Sequence, residues 1–409
     1  MLLTPPRVPA PSPVVTGEGP HAEPVTGPST HRRVGHALVV DLDHAPEPGD
    51  QTPWPGVLAD HLGRRAATVD VLGTAAAPPH RPDLVVGFTP HLASAEAAAR
   101  IAHRTRARLV VVVQELHRPA DHPSRRAHTD RDADARAVRE RSVLRRASVV
   151  AITSERFRSA VRALGVPDDR IGMLPDWAHV VPAWLDRLDA RRALGWPERG
   201  FIAVHTGMGP HHDPETVVAA ARLAGDGLRV ALVGDGVRSA AVRALAADLP
   251  HVLVTGPLDA EQRPLSLVAA DALVLSECLA PGELVLPAEL GSCLAAARPV
   301  VAAACPGGVA EAELARAEGA SVVVPAGSPR ALADALLALR ADPARRVAMG
   351  LAGLAHAESH LSLRRALARF DAILDAALDA APDGRLDDPA DHGLDGCAVS
   401  CRPVDAAAG

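Results

Sequence analysis

The turn Gly207-Met208-Gly209-Pro210-His211-His212 gathers residue types that can meet an anion. Glycines let backbone N–H groups approach a ligand closely. The apolar run Phe201-Ile202-Ala203-Val204 precedes the turn and an Ala-rich helical pattern starts at Glu215. The turn therefore reads as a link from a buried strand to a helix, whose N-terminus favours negative charge. Further glycine-bearing loops follow at Val233-Gly234-Asp235-Gly236 and at Gly256-Pro257-Leu258, and another loop spans Ser276 to Pro287. One Gly-x-Gly alone is an ordinary strand–helix turn. A series of them at successive strand ends favours a nucleotide crevice, with the phosphates at a helix start after Pro287.

The basic side chains narrow the chemistry. All 43 are arginine, since the 409 residues include no lysine. Any cation that meets a phosphate must then be Arg, His or a helix terminus. Arg298 and the two turn histidines are the candidates, although Arg298 also reads as a helix-end surface charge and the histidines as exposed loop residues. A net charge of −6 gives no reason to expect nucleic acid or an acidic membrane as the main partner. Cys278, Cys293 and Cys305 lie in apolar contexts and read as small core residues. Cys397 and Cys401 lack a matching His/Cys set, so no metal site is expected. The cysteine usage suggests a reducing, cytoplasmic setting. No apolar run of ~18 residues is free of charge, so no membrane span is expected.

Two runs of alternating strand and helix patterns stand behind these loops, and 409 residues exceed one core of typical size. The fold class is α/β, with parallel sheets covered on both faces. Residues 1–35, rich in Pro, read as a disordered leader, and 36–178 as the first domain. Residues 179–198 read as a linker with a short helix and 199–360 as the second domain. Leu363, Leu367, Phe370, Ile373, Leu374 and Leu378 recur at helical spacing. The tail 381–409 lacks periodic apolar residues and reads as disordered.

Several stretches resemble the retaining GT-B glycosyltransferases of family 4, in particular the bacterial colanic-acid/exopolysaccharide (WcaI-like) type. His44-Ala45-Pro46-Glu47-Pro48-Gly49 resembles its Y-x-P-E-x-x-G loop and Val113-Gln114-Glu115-Leu116 its V-Q-D-L strand end. Leu174-Pro175-Asp176-Trp177 resembles its N-W-V-D stretch at the hinge, and Gly207-Met208-Gly209 its G-N-x-G turn. Leu294-Ala295-Ala296-Ala297-Arg298-Pro299-Val300-Val301 is similar to L-A-A-G-R-P-V-V. Val323 to Ser328 resembles V-x-P-G-D, and Met349-Gly350 the closing M-G.

The resemblance implies two Rossmann-like, doubly wound parallel-sheet domains facing a cleft, with residues 361–380 crossing back to the first domain. It implies a nucleotide-sugar as donor substrate, a glycan or lipid-linked acceptor, no cofactor, no metal, and scope for peripheral membrane contact. Glu115, His211 and Arg298 become the expected catalytic groups. Gly207, Gly209, His212, Gly234, Gly236, Gly256, Leu258, Glu283, Glu289 and Ser292 become the expected donor contacts. The chain also departs from its relatives. Pro210, His211 and His212 stand where a basic residue usually follows the turn, and Glu289 replaces the lysine of P-S-K-L. Ser292 and Leu284 stand where the broader family carries two glutamates, with Glu283 one step away. A degenerate GT-B protein that binds a partner or nucleotide without turnover is the alternative. A sugar-nucleotide epimerase is a third reading, weakened by the few carboxylates available for acid/base work.

Overall fold

The computed structural model describes residues 33–41, 54–73, 80–89, 92–117, 131–180, 185–278 and 283–380. The loop His44–Gly49, Cys397, Cys401, the tail and nearly all of the expected leader lie outside them. The first half carries β1 (Val34–Val40), α1 (Trp54–Leu62), β2 (Ala66–Leu72), β3 (Leu84–Phe88), α2 (Leu92–Thr105) and β4 (Arg108–Val113). It continues through β5 (Glu115–His117), α3 (Arg131–Arg146), β6 (Val149–Ile152), α4 (Arg158–Ala163) and β7 (Ile171–Met173). Helix α5 (Arg187–Ala193) follows, capped by the Asp186 carboxylate on the Leu188 N–H.

The second half runs β8 (Ile202–Thr206), α6 (Pro214–Ala224), β9 (Arg229–Val233), α7 (Ser239–Ala246), β10 (Val252–Gly256), α8 (Gln262–Ala269) and β11 (Ala272–Ser276). Then come β12 (Glu283–Val285), α9 (Leu290–Ala295), β13 (Val300–Ala304), α10 (Val309–Arg316), β14 (Ser321–Pro325), α11 (Pro329–Ala341), α12 (Pro343–His360) and α13 (Leu363–Asp379).

Six strands form each of two parallel sheets, in the orders β2-β1-β3-β4-β6-β7 and β10-β9-β8-β11-β13-β14. Their central strands are Val-, Leu- and Ala-rich runs buried on both faces, as parallel strands between helix layers must be. The doubly wound α/β architecture expected from the alternating pattern is thus present twice. The second sheet has the dinucleotide-binding order, with its reversal between β8 and β11. Helix α9 covers only 290–295; it begins after Glu289 turns to His212 and ends before Ala297 turns to φ 53°.

Two features tie the halves together. Strand β12 pairs antiparallel with β5, Leu284 opposite Leu116, and the Leu286 N–H donates to the Gln114 carbonyl at 3.0 Å. Leu284, Leu286 and Val309, all from the second half, belong to the apolar core around the first sheet. Helix α13 lays Ala366, Phe370, Ile373, Leu374 and Ala377 on the other face of that sheet, beside Val112, Val149 and Trp54. Asp371 on α13 accepts from Arg65 at 3.0 Å and lies 3.0 Å from His61.

Phe370 is fully buried in this contact. Phe370→Ala is expected to cost about 3–5 kcal/mol of stability. Urea denaturation followed by tryptophan fluorescence checks it; a loss under about 1 kcal/mol would mean that α13 contributes little to the first domain.

Candidate active site

Open parallel sheets bind ligands outside the carboxyl ends of their strands, where the strand order reverses. In the second sheet that place lies beyond Thr206 of β8 and Ser276 of β11. The glycine turn folds back across it. Its chain is stitched to the end of β11 by the Asp213 N–H on the Ser276 carbonyl (2.9 Å) and the Cys278 N–H on the His211 carbonyl (2.8 Å). Asp213 also caps α6, accepting from the Thr216 N–H at 3.0 Å, so one residue fixes both the helix start and the turn.

Within this loop the His212 imidazole meets the Glu289 carboxylate at 3.0 Å. Both are largely buried. Burial alone would pull the His212 pKa down, but the Glu289 charge and hydrogen bond outweigh it and hold it above the ordinary value. Burial likewise raises Glu289, and the His212 charge and hydrogen bond outweigh it, leaving the carboxyl below its ordinary range. The two directions agree: the pair is ionic at neutral pH. Behind it His205 is fully buried, its Nδ1–H donating to the Val274 carbonyl at 3.0 Å. Burial and the neighbouring His212 charge push His205 down to about 4, so it stays neutral.

Gly207 adopts φ 107°, and a Cβ there would collide with the His212 ring. A Cβ on Gly236 would lie 2.5 Å from the Met208 carbonyl oxygen. These glycines are required by the chain's own packing: the first turn nests on the second, and His212 covers the first.

Glu277 follows β11 directly. One carboxylate oxygen accepts the Cys305 N–H at 2.8 Å, while Oε1 is buried without a partner, as is the adjacent Ser276 hydroxyl. Unpaired buried polar atoms are rare and mark places where a ligand or water bonds. Burial, with Glu289 nearby, pushes the Glu277 carboxyl up to about 7 against the opposing Cys305 N–H.

The first domain faces this cluster with Glu115. Its backbone is fixed by Thr89, whose hydroxyl donates to the Glu115 carbonyl at 2.7 Å. Its carboxylate accepts from Arg136 at 2.9 Å and lies 3.5 Å from His211 Nε2. The cleft thus sets His211, His212, Glu277 and Glu289 of one domain opposite Glu115 and Arg136 of the other.

Residues 11–177 match the glycosyl transferase 4-like domain family and residues 215–342 match glycosyl transferases group 1. The two halves are glycosyltransferase domains on a GT-B frame. No curated protein matches the chain by sequence. Among solved structures, HepE of Anabaena in complex with UDP and glucose is similar over 84% of this chain and 100% of its own, at 15% identity and a TM-score of 0.66. Sucrose-phosphate synthase of Thermosynechococcus elongatus is similar over 84% and 98%, at 18% identity and a TM-score of 0.62. A glycosyltransferase of Rickettsia africae covers 85% and 100%, at 12% identity and a TM-score of 0.63.

In this glycosyltransferase the expected site residues divide. Glu115, Gly207, Gly209, His211, His212 and Glu289 come together as described. Gly234, Gly236 and Gly256 stand at neighbouring strand ends, joined by the Gly234 N–H on the Gly256 carbonyl at 2.9 Å. Leu258 packs on the second domain's core. The Glu283 backbone heads β12 in the interdomain pairing. Arg298 is corrected: it precedes β13, at the amino edge of the sheet, opposite the cleft. There it donates to the Ala270 and Val268 carbonyls at 2.8 and 2.9 Å and is no catalytic group. Ser292 is corrected too: it is buried and its hydroxyl is taken up by the hinge, accepting the Val180 N–H at 2.9 Å. Glu277 escaped the sequence reading; its signal was its position directly after the strand at the reversal. Among the described residues no group of three or more His, Cys, Asp or Glu is placed to hold a metal ion.

Glu277 has a raised folded pKa, so the folded protein holds a proton that the unfolded chain has lost above about pH 4.5. Stability contributed by that proton is present at low pH and lost as pH rises towards 7. Glu277→Gln is expected to abolish this decline and to be more stable than wild type at pH 8 by up to about 3 kcal/mol. Urea midpoints at pH 5 and pH 8 read it, and identical pH dependence in the two proteins would refute it.

Proposed function

We propose that the protein is a retaining glycosyltransferase. It moves a sugar from a nucleotide-activated donor held by the second domain to a glycan or lipid-linked acceptor held by the first, in cell-surface polysaccharide assembly. The WcaI-like motifs support the pathway class. HepE, similar in fold, has been seen with UDP, glucose and UDP-glucose, which supports the donor class. The observation that carries the proposal is the His212–Glu289 pair beside the glycine turn at the sheet's reversal.

As the sugar's bond to the donor breaks, negative charge grows on the departing diphosphate, and a fixed cation there lowers the barrier. His212, kept protonated by Glu289, supplies that cation in a chain without lysine. Glu289, at the place of the relatives' lysine, is no bare charge beside the phosphates; it sets the protonation of its neighbour. The first domain offers Glu115, oriented by Arg136, to accept a hydrogen bond from the acceptor hydroxyl. Ser276 and Glu277 hold unpaired polar atoms for donor hydroxyls.

The second reading, nucleotide or partner binding without turnover, is favoured by one observation: the His212 ring fills the space against Gly207 that a phosphate would use. A panel of nucleotide-sugars, read by thermal shift and by product release, separates the two. Bound nucleotide at ~100 times its Kd should stabilise by ~2.7 kcal/mol. Stabilisation with no turnover for any donor would favour the second reading.

His212→Ala is expected to lower kcat about 100-fold. Because the folded pKa of His212 is raised, its charge persists to higher pH than that of an ordinary imidazole and is lost as pH climbs further. Glu289→Gln should move the alkaline fall of activity to lower pH. An unmoved profile in Glu289→Gln would show that the pair does not govern turnover.

A further inference from the structure

On the hinge side, α10, α12 and α13 converge with the ends of β6 and β7 on a cavity of about 130 Å³. Five basic side chains line it: Arg316 from α10, His356 and His360 from α12, and Arg365 and Arg369 from α13. The two imidazoles, one turn apart, stack at 4.6 Å with an interplanar angle of 19°. Burial, followed by the His360 and Arg316 charges, pushes His356 below its ordinary pKa.

Two carboxylates stand at the cavity against these five side chains. Asp176 is committed to His179 at 2.9 Å, and Glu313 accepts from the Ser154 hydroxyl at 2.5 Å. Arg316 forms an ion pair with Glu313 at 3.7 Å, without a hydrogen bond, and its side chain stays half exposed. Arg365 donates to the Ser359 carbonyl at 2.9 Å, which fixes it at the corner between α12 and α13. Arg369 makes no ion pair or hydrogen bond among the described residues. A chain of net charge −6 has thus gathered three arginines and two histidines around one cavity whose floor, Leu286 and Leu361, is apolar.

We propose that this cavity binds a small phosphate-class oxyanion, either free phosphate or the phosphate group of a small phosphorylated compound. Guanidinium forks suit such a tetrahedral acceptor, and charge-assisted bonds strengthen over an apolar floor. The volume is close to that of a cavity of about 150 Å³ that takes a benzene ring. It admits five heavy atoms and excludes a nucleotide. The site is separate from the transfer site. Leu290 and Gly291 line it, and Gly291 lies against the hinge backbone at Trp177, whereas Glu289 turns to His212. An anion there bridges α10 of the second domain to α13 on the first.

The test titrates the full chain with sodium phosphate against sodium chloride at constant ionic strength, by calorimetry and thermal shift. Wild type, Arg369→Gln, Arg316→Gln/Arg369→Gln and His212→Ala are compared. Phosphate should raise the melting temperature of wild type and of His212→Ala alike. Its affinity should fall at least tenfold in the double variant and measurably in Arg369→Gln. Both arginines are exposed, so the melting temperature in chloride should be unchanged and a folding defect is separable. No phosphate response in wild type, a response of wild-type strength in the double variant, or a response lost only in His212→Ala would overturn the assignment. Glucose 1-phosphate in parallel distinguishes the source: tighter binding than phosphate assigns the phosphoester, and equal binding assigns the free ion.

Discussion

The antiparallel pairing of β5 with β12 fixes how the two domains meet, and the active-site geometry depends on it. Each strand has three residues, too few to persist alone. The pairing holds because Leu116 and Leu284 are buried together and Leu286 and Val309 continue into the first domain's core. Each such side chain is worth roughly 1.5–3 kcal/mol when taken out of water. Interfaces between domains are ordinarily polar and mobile; this one shares a core. Glu115 begins β5, so the same pairing that closes the interface sets its carboxylate 3.5 Å from His211.

The absence of lysine shapes the electrostatics of the cleft. An imidazole is a poor fixed cation in a buried place, because burial favours its neutral form. His205 shows this, pushed down to about 4. His212, seven residues on and largely buried, keeps its charge chiefly through Glu289. One buried carboxylate therefore decides which of two neighbouring histidines is the cation. Glu277 shows the converse: burial, with Glu289 nearby, outweighs the Cys305 N–H and the His212 charge and pushes its carboxyl up to about 7.

Both sheets were legible in the sequence because β-branched and alanine-rich runs such as Leu109 to Val113 and Val300 to Val301 can only be fully buried strands. The glycine turn and its histidines were legible because such loops close βα units at the carboxyl edge. The interdomain ribbon was not: a three-residue strand has no period, and Leu116 and Leu284 lie far apart along the chain. Arg298 was misread by type instead of position. It lies between α9 and β13, and every αβ connection in a parallel sheet returns to the amino edge, so its place followed from the order of elements. Glu277 was hidden for the opposite reason: its position was known, but only the fold shows that its neighbours strip it of water. Ser292 was assigned by alignment, yet the turn of helix that carries it faces the hinge.

The His212–Glu289 pair also determines what binding an anion in the cleft entails. The two domains are tied on opposite faces of the first sheet, by the ribbon and Leu284 on one and by α13 on the other. Opening the cleft as a rigid body would have to expose apolar core at one of these ties. Turning a side chain costs far less, and the His212 side chain, 23% exposed against 7% for Glu289, is the freer partner. A phosphate that draws His212 away leaves Glu289 buried without its cation, next to Glu277. Two carboxylates so placed cannot both stay ionised, and the deprived one takes up a proton. Any anion at the turn that displaces His212 from Glu289 is in this way coupled to proton uptake by the glutamates behind it.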